Sequence, residues 1–373
     1  MSIARYPSRV SKLRVGILFG GRSTEHEVSV TSATTILKAL DPARYEPVLI
    51  GVDHDGRWLA ADAASDLLPE VIFSSSAAVE VTPALHAGLG LLDRPGGANV
   101  AEIDVLFPII HGRFGEDGTL QGLLELASVP YVGSGVMASA LAMDKVATKR
   151  VLRDAEVPVV PCLDTWRRDV LRDSGPFIDR VEAQFEYPVF AKPVNTGSSV
   201  GVVKARDRAE LASGLVDAAR YDLRVLVEPA VDAREVECAV LGGHEPEASI
   251  PGEIHTRNDF YDYEAKYVSE ETELVLPAPL DEATTERLRE LALRAFSALG
   301  CWGLARADFF LDRRSGELLL NELNTLPGMT EGSLYWRAWE ASGLALPALV
   351  DRLIELALER HRERSELEIR YRS

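Results

Sequence analysis

The amino-acid sequence predicts an α/β fold for the first third of the chain and an α+β fold, rich in antiparallel strands, for the rest. Three observations lead there. Residues 14–19 read as a buried strand by composition and run through a Gly20-Gly21 turn into a helical pattern ending near Leu40, the opening unit of a parallel sheet. Beyond Pro188 the apolar runs are short and closely spaced, as antiparallel strands are. Residues 303–324 read as two apolar strands about a polar turn at 312–316, a β-hairpin.

Composition narrows the class. The 373 residues suffice for two or three domains with cores of their own. Hydrophobic content of 46% and charged content of 26% are ordinary for a globular protein. No apolar run approaches the ~18 residues of a membrane span. Residues 1–14 are polar and basic without an apolar stretch, so no signal peptide is expected and the expected location is cytoplasmic. The 3 cysteines lie far apart with no CxxC spacing, as reduced thiols do. The 7 histidines form no HExxH or HxH, which argues against zinc. A net charge of −18 argues against general nucleic-acid binding, which needs a basic face. Small anions need only a locally positive pocket.

Each element follows in chain order. After the first strand, Thr24-x-x-Glu27 fits a capping box, which accounts for Glu27. Glu25 has no such structural duty and sits where open α/β sheets bind ligands. Residues 47–52 form a second strand; residues 58–101, weakly periodic, read as an insertion or irregular connection. Residues 104–110 form a third strand leading into His111-Gly-Arg-Phe-Gly-Glu-Asp-Gly118, a glycine loop whose backbone passes close to something. His111 there is either a ligand contact or a loop residue bonded to backbone. A helix over 139–154 places Lys145 and Lys149 on one face, where a solvated face is the default. Lys192 lies inside the apolar strand 188–193, which is unusual unless its ammonium meets an anion. The following Gly197-Ser-Ser-Val-Gly201 loop offers N–H groups and hydroxyls for phosphate but is no Walker A motif. Further strands are read at 224–228 and 235–241. Residues 255–267 form a long polar, aromatic-rich loop, the character of a lid. Asp281 caps a helix ending at Gly300, and an amphipathic helix over 346–362 closes the chain.

On the hairpin, Arg306 and Asp308 share one face, as do Glu322 and Asn324. A turn centred near Arg314 sets Arg306 opposite Glu322, with Asp308 diagonal to it. Such a face suits Mg²⁺, which takes carboxylates plus phosphate oxygens. A solvated edge hairpin is the bland alternative; the apolar residues between argue against it, since buried charges need a partner or a metal. Carboxylates, lysines and a Gly/Ser loop together suggest a nucleotide triphosphate and phosphoryl transfer under a lid that excludes water.

The sequence resembles the D-alanine–D-alanine ligases of the ATP-grasp superfamily. The resemblance rests, in order, on Gly20-Gly-Arg-Ser-Thr-Glu-His-Glu-Val-Ser29, His111-Gly-Arg-Phe-Gly-Glu-Asp-Gly-Thr-Leu-Gln-Gly122, Met143-Asp-Lys145, Gly197-Ser-Ser-Val-Gly201, Tyr261-Asp-Tyr-Glu-Ala-Lys-Tyr267 and Asn321-Glu-Leu-Asn-Thr-Leu-Pro-Gly-Met-Thr330. It implies an N-terminal α/β (pre-ATP-grasp) domain over 1–137 and a two-subdomain ATP-grasp fold over 138–239 and 240–373. It implies ATP-dependent ligation of two D-alanines through an acyl phosphate, for peptidoglycan precursors, by a homodimer. Lys145, Lys192, Ser199, Glu228, Val231, Glu235 and Lys266 would bind ATP. Glu228 would face the adenine amino group and Glu235 the ribose. Asp308, Glu322 and Asn324 would hold two Mg²⁺ (or Mn²⁺). Glu25, with His111 nearby, would hold the first D-alanine's ammonium. Ser198 and Tyr267 would link to Glu25, and Arg306 with the Gly328 N–H would stabilise the oxyanion. Ser333 and the Leu334 N–H would receive the second substrate's carboxylate. Pro229 departs from relatives that carry Lys there. The alternatives are D-alanyl-D-lactate or D-alanyl-D-serine synthesis, against which Tyr267 speaks, a silent ATP-binding relative, and another ATP-grasp carboxylate–amine ligase.

Overall fold

The computed structural model describes residues 12–60, 68–75, 78–83, 89–92, 99–255 and 273–368. Leu13–Gly20 (β1) is buried over its last six residues and pairs in parallel with Tyr45–Val52 (β2) and Val105–Pro108 (β7). The chain crosses from β1 to β2 through His26–Ala39 (α1), as a parallel pair requires. Gly20 turns at φ +88, where an added Cβ would stand 2.3 Å from the Val52 carbonyl oxygen, so only glycine fits the strand-to-helix turn.

Two expectations for this unit are corrected. The stretch expected to be an irregular connection contributes Trp58–Ala60 (β3), Val79–Pro83 (β4), Leu89–Leu92 (β5) and Asn99–Ile103 (β6). They extend the sheet antiparallel, in the order β6-β5-β4-β3-β2-β1-β7. Their weak periodicity hid them, because short edge strands need little apolar alternation. The expected helix start also shifts: α1 begins at His26 with Glu25, not Thr24, at its N-cap, and the Glu25 side chain makes no cap bond. The Glu25 carboxylate turns instead to Ser198.

Thr119–Leu126 (α2) follows the glycine loop. The helix expected over 139–154 is two, Val136–Met143 (α3) and Lys145–Asp154 (α4). Asp144 breaks them and caps the second, accepting from the Val146 and Ala147 N–H groups at 3.0 and 2.8 Å.

A second sheet takes the order β10-β9-β11-β8, from Leu163–Trp166 (β8), Val189–Pro193 (β9), Val203–Ala205 (β10) and Arg224–Pro229 (β11). Arg167–Arg172 (α5), Gly175–Glu182 (α6) and Arg208–Ala218 (α7) accompany it. Val189, Ala191, Val225 and Val227 pack with Phe177, Ile178, Leu211 and Leu215 of the helices. Alternation leaves Phe190, Lys192 and Glu228 on the opposite face.

The third sheet is built from Ala233–Gly242 (β12), Glu247–Ala248 (β13), Gly252–His255 (β14), Glu273–Val275 (β15), Gly303–Asp312 (β16) and Leu318–Asn324 (β17). The expected boundary after residue 239 falls inside β12. Val236, Cys238, Ala305, Ala307 and Phe309 pack on Glu282–Ala298 (α8) through Leu288, Leu291 and Phe296. The other face carries Glu235, Glu237, Arg306 and Asp308 and looks towards the second sheet. Leu334–Ala341 (α9) and Leu346–Ser365 (α10) return to the first unit, where Tyr335, Leu349, Val350 and Leu353 share one core with Val15, Ile17 and Phe19.

Candidate active site

Two connected cavities lie where these units meet. The larger, about 1690 Å³, runs between the polar faces of the second and third sheets. Lys145, Lys192, Ser199, Glu228, Val231, Glu235 and Asp308 line it. The smaller, about 370 Å³, is walled by Glu25, His111, Arg306, Asn324, Gly328, Ser333 and Leu334. Lys145, Ser198 and Glu322 line both. The structure thus brings together every site residue named from the sequence except Lys266 and Tyr267, which lie outside the described residues.

In the larger cavity a carboxylate is clasped by two ammoniums. Glu228 is 2% exposed, with its Oε2 2.6 Å from Lys192 Nζ and its Oε1 2.8 Å from Lys149 Nζ. Burial alone would raise the Glu228 carboxyl, but the two lysines hold it down at about 2. Lys149 is 1% exposed, so the solvated face expected by default for it is wrong. Cross-element packing decided this, since α4 lies against β11. Lys145, one turn earlier on α4, donates to the Thr196 carbonyl at 2.7 Å and stands 3.6 Å from Glu322 Oε2.

The hairpin register differs from expectation. Asp308 pairs with Glu322, and Arg306 with Asn324, instead of Arg306 with Glu322. The turn is tightened by the Asp312 carboxylate, which accepts from the Arg314 and Ser315 N–H groups at 2.8 Å each. A bulge between Asp308 and Phe309 then slips the register once more and leaves Asn321 as the extra residue. Asn321 and Glu322 both line the larger cavity as a result. Arg306 forks Asp308, Nε to Oδ1 at 2.7 Å and the terminal nitrogen to Oδ2 at 2.6 Å. Its Nε is also 2.9 Å from Glu237 Oε2. The donor set on this face is oxygen only, carboxylates and amides, as a hard cation prefers. The Asn324 Oδ1 is fixed by the Leu326 N–H at 3.0 Å.

In the smaller cavity, Ser198 Oγ donates to Glu25 Oε1, joining the first unit to the Gly/Ser loop. Ser198 and Ser199 both sit at left-handed φ, 48° and 56°, a strain that such loops carry at functional sites. His111 Nδ1 lies 3.0 Å from the Leu326 carbonyl oxygen, so it is the donor, and the other ring nitrogen is an acceptor. That Nε2 is buried with no partner among the described residues. Burial pushes the His111 imidazole below its usual range despite the nearby Glu25, which keeps the ring neutral. A carboxylate and a neutral acceptor in one chamber suit an ammonium. The His111 bond to Leu326 and the Met329 N–H to Ser32 Oγ bond, 3.0 Å, pin the Gly328 loop to the first unit. Ser333 precedes α9, and Thr330 Oγ1 lies 2.9 Å from Ser333 Oγ. Ser333 and Leu334, at the start of α9, line the chamber.

Sequence reasoning missed Lys149, Asn321, Glu116, Glu237 and Arg337. Glu116, in the His111 loop, accepts from the Gly112 N–H, and burial together with Glu25 pushes its carboxyl well above the usual range. Arg337 lies one turn beyond Ser333 and lines the same chamber. The signals were present: Glu237 is two residues from Glu235 on one strand face, and Arg337 is four from Ser333 on a helix.

Comparisons with known proteins match both parts of the chain. The family described as D-ala D-ala ligase N-terminus matches residues 14–134, and D-ala D-ala ligase C-terminus matches residues 151–355. A D-alanine–D-alanine ligase of Acetivibrio thermocellus is 44% identical over 94% of this chain and 97% of its own. The solved D-alanine–D-alanine ligase from Coxiella burnetii superposes with TM-score 0.82 at 37% identity, covering 95% of this chain and 96% of that one. The VanG D-Ala:D-Ser ligase from Enterococcus faecalis gives TM-score 0.83 at 32% identity, covering 93% of this chain and 100% of that one.

Proposed function

The chain belongs to the D-alanine–D-alanine ligase family, and on that premise we propose that it joins two D-alanines into D-alanyl-D-alanine, using ATP, for peptidoglycan precursor synthesis. One observation carries the reading: a cleft long enough for a nucleotide opens, at Lys145, Ser198 and Glu322, into a chamber sized for two small amino acids. The carboxylate oxygen of the first D-alanine attacks the γ-phosphorus, the bond to ADP breaks, and an acyl phosphate forms. The amine nitrogen of the second D-alanine then attacks the acyl carbon. The carbon–oxygen bond to phosphate breaks, and phosphate leaves as the amine gives up a proton.

In this reading Lys145 and Lys192, with Lys266, place positive charge along the phosphates. Ser199 and Val231 line the nucleotide site. Glu228 meets the adenine amino group with a carboxylate already oriented by Lys149 and Lys192, and Glu235 meets the ribose. Asp308, Glu322 and Asn324 would hold two Mg²⁺, or Mn²⁺; their all-oxygen donor set fits, and the metal would neutralise phosphate oxygens. Glu25 and the His111 Nε2 grip the first ammonium. Arg306 and the Gly328 N–H aim at the oxyanion of the tetrahedral intermediate, the place where fixed donors act most strongly. Ser333 and the Leu334 N–H seat the second carboxylate. Tyr267 would join the Glu25–Ser198 link, as the family resemblance implies, and would select against a hydroxy acid.

The same reading takes residues 1–137 as a substrate-binding unit and the rest as the two halves of the nucleotide clamp, which the sequence alone divides at 239. We place the second boundary just before β12, because that strand pairs wholly within the third sheet. No described helix is long and apolar enough to cross a membrane. A cytoplasmic location and a homodimer belong to the proposal, and analytical ultracentrifugation tests the second.

The test is ADP release by purified protein with Mg²⁺ and ATP, with D-alanine alone or with D-serine or D-lactate, and the product identified by mass. D-alanine-dependent ADP with a D-alanyl-D-alanine product is expected. The likeness to VanG makes D-alanyl-D-serine the second reading, and its appearance as main product would replace the first. ATP binding without D-alanine-dependent ADP would leave a silent relative.

A further inference from the structure

Glu237 has no part in the roles given above, yet it stands in the middle of them. The strand register sets Glu237 beside Asp308 and Asp308 beside Glu322, one row of carboxylates across β12, β16 and β17. Arg306 lies two residues further along β16, on the same face. Its guanidinium sits between two of these carboxylates, forking Asp308 and standing 2.9 Å from Glu237 Oε2. Glu237 is only 5% exposed and the Arg306 side chain 16%, so the pair is largely removed from water.

We propose that Glu237 is the positioning residue for Arg306, holding the guanidinium in the chamber when Asp308 engages a cation; this rests on the ligase reading. Asp308 has two duties that compete. It accepts the Arg306 fork in the structure described here, and it belongs to the carboxylate and amide set that suits Mg²⁺. A cation on Asp308 repels the guanidinium and draws on the same oxygens. When Asp308 turns to the cation, the single Nε–H it accepted passes to Glu237 Oε2, already 2.9 Å away on the neighbouring strand, which keeps Arg306 from being displaced and from competing for Asp308. Glu237 lines both cavities, and in this proposal it acts through Arg306.

Variants Glu237→Ala and Glu237→Gln separate this from other roles. Glu237→Ala is expected to lower kcat about 10- to 100-fold with the KM for ATP within twofold. Glu237→Gln, whose amide oxygen still accepts from Nε–H, is expected to recover at least half of that loss on a logarithmic scale. Independently of turnover, Mn²⁺ titration followed by electron paramagnetic resonance, with a non-hydrolysable ATP analogue, is expected to show the same number of ions in Glu237→Ala. The ion at Asp308 should be bound about 3- to 10-fold more weakly. In an Arg306→Ala background that weakening should disappear, the non-additivity of two residues in direct contact. Loss of one Mn²⁺ would make Glu237 a ligand instead. An equal effect with and without Arg306, or unchanged kcat and Mn²⁺ affinity, would overturn the proposal. Wild-type protein that binds Mn²⁺ and nucleotide but forms no dipeptide would defeat the ligase reading alone.

Discussion

Replacing Glu228 by glutamine tests how the nucleotide cleft is held together. The carboxylate is 2% exposed, and Lys149, on its Oε1, is 1% exposed. Its pKa in the folded protein is about 2 against an ordinary 4.5. A gap of about 2.5 units corresponds to about 3 kcal/mol of stabilisation of the charged form. Removing one partner of a buried pair costs about 3–5 kcal/mol, so the two routes agree. Glu228→Gln should therefore lose about 3 kcal/mol at pH 7, because Lys149 and Lys192 are left facing a neutral amide. The sign with pH follows from the lowered pKa. The wild-type advantage is full above about pH 4.5 and disappears as the pH falls towards about 2. Urea unfolding followed by tryptophan fluorescence reads this, since Trp166 pairs with Arg224 on the strand that carries Glu228. Adding Lys149→Met to Glu228→Gln should restore part of the loss by removing the stranded ammonium. A Glu228→Gln variant within about 0.5 kcal/mol of wild type at pH 7, or a difference that stays constant down to pH 3, would refute the paired-charge account.

Four further outcomes follow. Gly112→Ala places a Cβ 2.8 Å from Glu25 Oε2 at a φ of +73, so the KM for D-alanine should rise about tenfold while ATP binding is unchanged, which steady-state kinetics reads. Arg306→Ala should cut turnover about 10²- to 10³-fold and leave nucleotide affinity intact by calorimetry; near-normal turnover would remove it from the mechanism. His111→Asn keeps a donor to Leu326 but cannot titrate. Wild type, whose buried imidazole has a lowered pKa, should lose stability relative to that variant as the pH falls below about 6.5, because the unfolded state then takes up the proton first, seen in unfolding curves from pH 7 to 5. Tyr267→Phe should admit D-lactate as second substrate, detected as a depsipeptide by mass; continued exclusion would end the selectivity argument at that position.

Much of the site was legible because its residues stand in local patterns that carry chemistry. Lys192 betrays itself as a lysine inside an apolar strand, and Asp308, Glu322 and Asn324 as polar residues spaced by two in apolar strands. Glu25 stands out as an acidic residue at a strand-to-helix turn. Lys149 was not legible: on α4 it reads as one of an i, i+4 pair, and only the packing of β11 against that helix buries it. The register of β16 and β17 was misplaced for a similar reason. Alternation determines which side chains share a face, whereas an Asx turn at Asp312 and a bulge determine which of them meet.

The amino-acid sequence alone determined the fold class, the parallel opening unit, the hairpin and the chemical kinds gathered for phosphoryl transfer. These depend on periodicity, turn residues and motifs, which are local. Tertiary structure alone decided that Glu228 is shared by Lys149 and Lys192, that Arg306 stands between Asp308 and Glu237, and that His111 donates to the Leu326 carbonyl and keeps its other ring nitrogen buried. Each of these joins residues from separate elements, and the charge and proton states there depend on burial and on neighbours far away in the chain.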